Sequence, residues 1–165
     1  EASANRVTMD LVIWNAAISA CEKAFRWEAS LHMFANLRDQ SIIVDAVTFN
    51  TSISACEKGH NWESALLLFE EMLSQQVKVS AVACNALIGA LDKGRKASRI
   101  GKVIHDMYDR GIPPTLITFN AAMNAFQRAG DWEESLRWWE ELHNRGLEPD
   151  SFTFSVVAMA CTKGG

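Results

Sequence analysis

The sequence predicts an all-α fold, an α-solenoid of antiparallel helix pairs, on three observations. The first is a period of 35 residues without insertion or deletion, which aligns five blocks: Val12–Asn15, Val47–Asn50, Val82–Asn85, Ile117–Asn120 and Phe152–Ser155. The second is an alanine ladder in the same register: Ala20, Ala55, Ala90, Ala125 and Ala160. The third is a helical spacing of apolar residues in both halves of each repeat. Because one helix pair cannot bury both of its apolar sides, each pair must stack on its neighbours.

Each repeat divides into two amphipathic helices. In the second repeat, Phe49, Ile53 and Cys56 share one helical face, and Asn61 is a favoured N-cap for the helix that follows. In the fourth repeat, Asp131 followed by Glu134 indicates a capping box. The predicted organisation is one solenoid domain, which we expect to be part of a longer array. It comprises the end of a preceding repeat (1–10), four repeats (11–45, 46–80, 81–115 and 116–150) and the first helix of a fifth (151–165).

The third repeat is expected to be the least stable of the four. It has Ala97 where its neighbours have Trp27, Trp62 and Trp132. Gly101 also lies inside its second helix, where glycine costs about 1 kcal/mol relative to alanine. Local opening should therefore begin in this repeat.

Composition excludes several classes of protein. No apolar run reaches the roughly 18 residues that a membrane-spanning helix needs, so we expect no membrane partner. The four cysteines form no C-x-x-C pair and are predicted to be small buried residues that form no disulfide: Cys21, Cys56, Cys84 and Cys161. The histidines occupy different repeat positions and are predicted to be solvated: His32, His60, His105 and His143.

Catalytic signatures are missing from the sequence. We find no zinc-deaminase pattern, no P-loop and no G-x-S-x-G element. Adjacent carboxylates such as Glu70 and Glu71 are typical of a solvated helix face. We therefore expect no enzyme activity, no cofactor, no metal and no small-molecule substrate.

The repeat resembles the pentatricopeptide repeat. The resemblance rests on the period of 35, the V-T-F-N opening at 47–50, the W-E-x-A-L-x-L-F-E-E-M body at 62–72 and the G-L-E-P-D ending at 146–150. Tetratricopeptide repeats differ, with a period of 34 and another signature. The resemblance implies a right-handed superhelix whose first helices line the concave side. It also implies recognition of single-stranded RNA, one base per repeat, by two or three side chains.

By this resemblance, two positions in each repeat read a base. The first readers are Asn15, Asn50, Asn85, Asn120 and Ser155. The second readers are Asp45, Ser80, Thr115 and Asp150, with Asp10 closing an earlier repeat. Two alternatives remain open: the asparagines could bond between adjacent first helices, and the second set are all favoured N-caps. The family's code assigns Asn with Asp to uracil, which predicts the site U-Y-Y-U from 5′ to 3′.

Two further sets of residues are expected to contact RNA. The apolar set, Val12, Val47, Val82, Ile117 and Phe152, would sandwich the bases; the alternative is packing at the joints between repeats. The cationic set, Lys23, Lys58, Lys93, Arg128 and Lys163, would track phosphates. Its alternative is pairing with the helix dipole, worth about 0.3–1 kcal/mol each. The formal net charge of −4 is then assigned mainly to glutamates of the second helices.

The expected function is sequence-selective binding of single-stranded RNA. By resemblance it would support organellar RNA processing, stability, editing or translation, in a mitochondrion or plastid. Protein partners are left open. The alternative is a protein-interaction scaffold of tetratricopeptide type that binds a peptide in the concave groove. A third interpretation is that the array belongs to a larger enzyme.

Overall fold

All regular structure in the described part of the chain is helical. The computed structural model describes the backbone of residues 2–164 and the side chains of residues 11–162. Its α-helices are α1 (Ala2–Lys23), α2 (Trp27–Asp39), α3 (Ala46–Lys58), α4 (Trp62–Ser74), α5 (Ala81–Lys93), α6 (Ile100–Asp109), α7 (Leu116–Ala129), α8 (Trp132–Asn144) and α9 (Ser151–Gly164). Helices α3, α5, α7 and α9 begin where the sequence places the start of a repeat. Two compact units, Glu1–Ala90 and Leu91–Gly165, divide the chain.

The start of the chain differs from the prediction. Helix α1 runs without a break from Ala2 to Lys23. Asp10 therefore lies inside a helix rather than immediately before one, and no turn separates residues 2–10 from the first helix of the first repeat.

The core of the first unit lies between its helices. Ile18, Leu37, Phe49 and Met72 are fully buried. The ring of Phe34 on α2 meets the ring of Phe49 on α3 edge to face, with centroids 5.1 Å apart. The aromatic and aliphatic ladders of the sequence thus form the joints between helices.

The alanine ladder is buried at four of its five positions: Ala55, Ala90, Ala125 and Ala160. Ala20 on α1 is exposed.

The second helix of the third repeat is irregular, as its sequence suggests. It starts with a 3₁₀ turn at Ala97–Arg99, and α6 covers 10 residues compared with 13 in α4 and in α8. Within the second unit, Phe119, Met123, Leu142 and Val156 form a buried cluster.

Side-chain caps fix the starts of the second helices. The side chain of Asn61 accepts the backbone N–H of Ser64 at 3.0 Å, as predicted. Asp131 likewise accepts the N–H of Glu134 at 3.2 Å. The Glu134 carboxylate instead binds Arg137 at 2.9 Å, so the predicted capping box is only half formed.

The helices end in left-handed residues at two recurring positions. The turn within a helix pair uses Phe25 (φ 57°), His60 (φ 58°), Arg95 (φ 57°) and Gly130 (φ 87°). The turn after the second helix uses Ser41 (φ 55°), Gln76 (φ 55°), Gly111 (φ 68°) and Gly146 (φ 67°). Non-glycine residues are strained in this conformation.

All four cysteines are free, but their burial differs. Cys56 and Cys84 are buried as predicted, and burial raises the pKa of the Cys56 thiol to about 12. Cys21 is half-buried. The prediction is wrong for Cys161, which is exposed on α9, the last helix of the chain. The four histidines are exposed, as predicted.

Helices long and apolar enough to traverse a bilayer are absent from residues 2–164. The described side chains also contain no group of three or more His, Cys, Asp or Glu residues placed to hold a metal ion.

Candidate nucleic-acid interface

The last residue of each repeat caps the first helix of the next. Asp45 and Asp150 accept the backbone N–H groups of Thr48 and Thr153, each at 2.8 Å. The Ser80 hydroxyl accepts an N–H from α5 at 3.4 Å, and Thr115 forms a capping box with the residue three positions on. Capping, the alternative raised by the sequence, is therefore a real role of these side chains.

The same residues also lie beside the first readers. The amide nitrogen of Asn15 is 3.4 Å from a carboxylate oxygen of Asp45. The corresponding distance from Asn120 to Asp150 is 3.3 Å. In the second repeat, the Ser80 hydroxyl lies 3.4 Å from the amide oxygen of Asn50. Thirty residues separate the two members of each pair in sequence, yet the helix pairs bring them to hydrogen-bond distance.

The remaining members of the two reader sets differ in their burial. Asn85 is half-buried on α5, and Thr115 is exposed before α7 in the other unit. Ser155 is exposed on α9, where its hydroxyl donates to the backbone oxygen of Ser151 at 2.8 Å.

Two buried threonines complete the site and were not predicted from the sequence. The Thr48 hydroxyl lies 2.5 Å from the amide oxygen of Asn15 and 2.8 Å from a carboxylate oxygen of Asp45. The Thr153 hydroxyl lies 2.7 Å from the corresponding oxygens of both Asn120 and Asp150, so its one hydrogen is shared between them. The amide oxygen of each asparagine thus faces threonine, and its nitrogen faces aspartate. The signal was available: threonine recurs directly after the apolar residue that opens the second, fourth and fifth blocks. The third block has Ala83 there and lacks the hydroxyl.

The aspartate of this arrangement is held in its ionised form. Backbone and side-chain hydrogen bonds from Thr153 lower the pKa of Asp150, and a bond from Asn120 adds to the effect against a small opposing desolvation. A carboxylate that accepts several hydrogen bonds is favoured over the protonated acid. Asp150 is therefore an acceptor in this structure.

The apolar set stands out in every repeat. The exposed fraction of these residues ranges from 50% at Phe152 to 69% at Ile117, across Val12, Val47, Val82, Ile117 and Phe152. Packing at the joints would have buried these side chains, so that alternative is not their role here. Each lies three residues, one helical turn, before a first reader.

Two members of the cationic set form ion pairs that were not predicted from the sequence. Lys58 pairs with Glu22 at 2.5 Å, and Arg128 pairs with Asp92 at 3.1 Å. In both pairs the acid comes from the first helix of the preceding repeat. The prediction assigned the negative charge mainly to second helices, but part of it lies directly against these cations.

The other members of the cationic set differ in their surroundings. Lys23 is exposed and Lys93 is half-buried, while the side chain of Lys163 lies outside the described residues.

The pKa of Glu22, one of these two acids, is lowered by the groups around it. Partial burial raises its pKa, but hydrogen bonds from Lys58 and Ser54, together with the charges of Lys58 and Lys23, outweigh burial and lower it. The Ser54 hydroxyl donates to Glu22 at 3.0 Å. Lys58 also lies 5.5 Å from the centre of the exposed Phe25 ring.

Sequence comparison identifies one family along almost the whole chain. A model of the pentatricopeptide repeat domain matches residues 67–129, one of the PPR repeat family matches 114–163, and one of the PPR repeat matches 12–42 and 47–77. Comparison with curated protein sequences gives no significant match.

Structural comparison points to the same class. The fold is similar to the pentatricopeptide repeat protein PPR10 in complex with an 18-nt psaJ RNA element, with a TM-score of 0.79 and 26% identity. This match covers 91% of the chain but only 22% of PPR10. The fold is also similar to maize PPR10 (TM-score 0.73, 26% identity, covering 94% of this chain and 22% of that one).

A third solved structure has the same fold at low identity. It is the PPR domain of Arabidopsis thaliana protein-only RNase P 1 in complex with tRNA, with a TM-score of 0.85 and 13% identity. The match covers 93% of this chain and 81% of that one. The fold-class prediction, an all-α solenoid of helix pairs, is confirmed. The chain belongs to the pentatricopeptide repeat family.

Proposed function

We propose that the chain binds single-stranded RNA with sequence selectivity, one base per repeat. The observation that carries the proposal is the pairing of two polar readers beside an exposed apolar side chain. In the first repeat these are Asn15, Asp45 and Val12; in the fourth they are Asn120, Asp150 and Ile117. A related protein, PPR10, has been crystallised with an RNA element, which supports the same ligand class for this chain.

The chemistry of the readers suits a pyrimidine. An asparagine amide offers donors and an acceptor, and an aspartate offers acceptors, so together they can match a base edge that carries both kinds of group. The threonine hydroxyl holds the amide in one orientation, which reduces the ordering needed when a base arrives. The exposed valine, isoleucine or phenylalanine gives the base an apolar surface on which to lie.

By the family's code, the first and fourth repeats select uracil and the middle two accept either pyrimidine, giving U-Y-Y-U from 5′ to 3′. The second repeat lacks the threonine hydroxyl, and Ser80 replaces aspartate. We therefore propose weaker selectivity there. We further propose that binding serves RNA processing, stability, editing or translation in a mitochondrion or plastid, which organelle fractionation of cells expressing the tagged full-length protein would test.

The reader role of Asp45 can be separated from its capping role by one substitution. Asp45→Asn keeps a favoured N-cap, so stability should change little. The family's code predicts that the same variant shifts the preference at its base from uracil toward cytosine. Asp131→Asn is the matched control, because Asp131 caps a second helix and is not a reader.

The ligand class is tested by salt dependence. Labelled single strands rich in uracil, cytosine or adenine are titrated at two salt concentrations, with fluorescence anisotropy as the readout. We expect pyrimidine strands to bind best, with log K falling by about 0.7 per phosphate contact for each tenfold rise in salt. Equal binding of all three strands without a salt slope would favour the peptide-binding scaffold.

A further inference from the structure

A tryptophan and a glycine meet in the first unit. A Cβ atom added to Gly59 would lie 2.0 Å from Cδ1 and 2.2 Å from Cγ of Trp27, so the indole rests on the bare backbone of Gly59. The same two repeat positions hold Trp62 with Gly94, and Trp132 with Gly164, in the sequence. A large aromatic residue is thus matched by glycine 32 positions later.

One pair breaks this rule at both positions. Ala97 replaces the tryptophan, and Ala129 replaces the glycine. In the second unit, a cavity of about 600 Å³ lies at these two residues. Its lining consists of Ala97, Ala125 and Ala129, with Asp92, Arg95, Gln127 and Arg128.

The lining combines three alanine methyl groups with a rim of charged and polar side chains. Arg95 is exposed and takes the left-handed conformation at φ 57°. Arg128 is bound by both oxygens of Asp92 at 3.1 Å. Two guanidinium groups against one carboxylate leave the rim with a net positive charge.

We infer that this cavity binds a nucleotide. The base would lie against the methyl groups of Ala97, Ala125 and Ala129, and the phosphate would bind the guanidinium groups of Arg95 and Arg128. Guanidinium groups match phosphate oxygens in planar, bidentate contacts, and the cavity volume is within the range of small-ligand sites. An aromatic side chain of a protein would fill the apolar part but leave the positive rim without a counter-charge.

The nucleotide could come from two sources with the same chemistry. It could be free in solution, or it could be one nucleotide of a bound RNA strand, since Arg128 also belongs to the set expected to track phosphates. The cavity does not depend on the base readers, so its occupancy can be tested even if the array reads no sequence.

The test begins with the unmodified chain. AMP and UMP are titrated and followed by NMR at the backbone amides of Ala97 and Ala129. Adenosine, uridine and inorganic phosphate are titrated in parallel. We expect the nucleotides to shift these amides and to bind at least tenfold more tightly than either the nucleosides or phosphate.

Filling the cavity is the second step. Ala97→Trp with Ala129→Gly restores the arrangement of Trp27 and Gly59, so it should raise the unfolding temperature and reduce AMP affinity at least tenfold. Arg95→Ala changes only an exposed side chain and should lower AMP affinity to that of adenosine. Arg110→Ala is its matched control, because Arg110 is exposed in the same unit but does not line the cavity.

Each outcome decides the inference. AMP binding that survives both the filled variant and Arg95→Ala would overturn it, as would equal shifts with inorganic phosphate alone or no AMP binding by the unmodified chain. If a single strand also shifts the amides of Ala97 and Ala129, and loses affinity in the filled variant, the source is RNA. If only mononucleotides do so, the source is free nucleotide. Loss of base selectivity with AMP binding intact would contradict only the proposed function.

Discussion

Substituting alanine for Gly59 tests how the repeats pack. Gly59 directly follows α3 with φ −82°, which alanine adopts easily, so any loss of stability must be steric. The new methyl would lie 2.0 Å from Cδ1 and 2.8 Å from Cβ of Trp27. Because the clash includes Cβ, a rotation of the indole cannot relieve it and the backbone must move.

The cost follows from these distances. Overpacking costs about 1–3 kcal/mol, and the upper half of that range applies where the backbone must shift. Replacing glycine returns about 0.4–1 kcal/mol through the unfolded chain. The net loss should be about 2 kcal/mol, which lowers the melting temperature by roughly 4–8 °C for a chain of this size.

Gly101→Ala is the matched control with the opposite sign. Its methyl would lie 3.6 Å from Cζ2 of Trp138, an ordinary contact, inside a helix where alanine is favoured by about 1 kcal/mol. Urea denaturation followed by circular dichroism measures both variants. In the Trp27→Ala background, Gly59→Ala should cost little. If Gly59→Ala is as stable as the unmodified chain, the indole does not rest on this glycine.

Three further predictions concern strain, charge and pH. Gln76→Gly removes a non-glycine residue from the left-handed conformation and should raise the free energy of unfolding by about 1 kcal/mol. Gly111→Gln should lower the free energy of unfolding by a similar amount. Melting temperatures that do not change in opposite directions in these two variants would refute the strain. Glu22→Gln removes the ion-pair partner of Lys58, so RNA should bind more tightly. The slope of log K against log salt concentration should become steeper by about 0.7. An unchanged slope in anisotropy titrations would exclude Lys58 from phosphate contact. The pKa of Asp150 is lowered, so its carboxylate contributes stability above the unfolded pKa of about 3.9 and loses it as pH falls through the folded value. Urea denaturation across this acid range should therefore depend less on pH in Asp150→Asn than in the unmodified chain; equal dependence would contradict the hydrogen-bonded carboxylate.

The repeat register was predictable because it rests on identity at a fixed spacing. Helix starts follow directly, since residues such as Asp45 precede helices at regular intervals. The start of α1 was not predictable in this way, because Asp10 has the same residue type as Asp45 but lies inside a continuous helix. Residue type indicates a cap only where the chain also turns.

The residues of the candidate site were predictable from the sequence, but the side chains that contact them were not. The exposed valines and the asparagines follow from their positions in the repeat. The ion pair between Glu22 and Lys58 joins residues 36 apart, and recognising it requires knowing which helix faces meet. The role of Thr48 is hidden in the sequence for the same reason, because its hydroxyl contacts an asparagine of the preceding repeat.

The cavity lined by Ala97 and Ala129 could not be predicted from the sequence for the same reason. Ala97 stands where the other repeats have tryptophan, which predicts weak packing. Its partner Ala129 acquires meaning only from the contact of Trp27 with Gly59, two repeats earlier in the chain. Stacked helices bring together residues about 30 positions apart, and a local sequence pattern does not show which of them are in contact.

We propose that Asn15 and Asp45 together read one RNA base. The most direct test is competition between single strands that carry uracil or cytosine at the 5′ position of U-Y-Y-U, measured for the unmodified chain and for Asp45→Asn. We predict that the unmodified chain prefers uracil, that the variant prefers cytosine, and that both unfold at nearly the same urea concentration. An unchanged preference at equal stability would show that Asp45 is a helix cap alone.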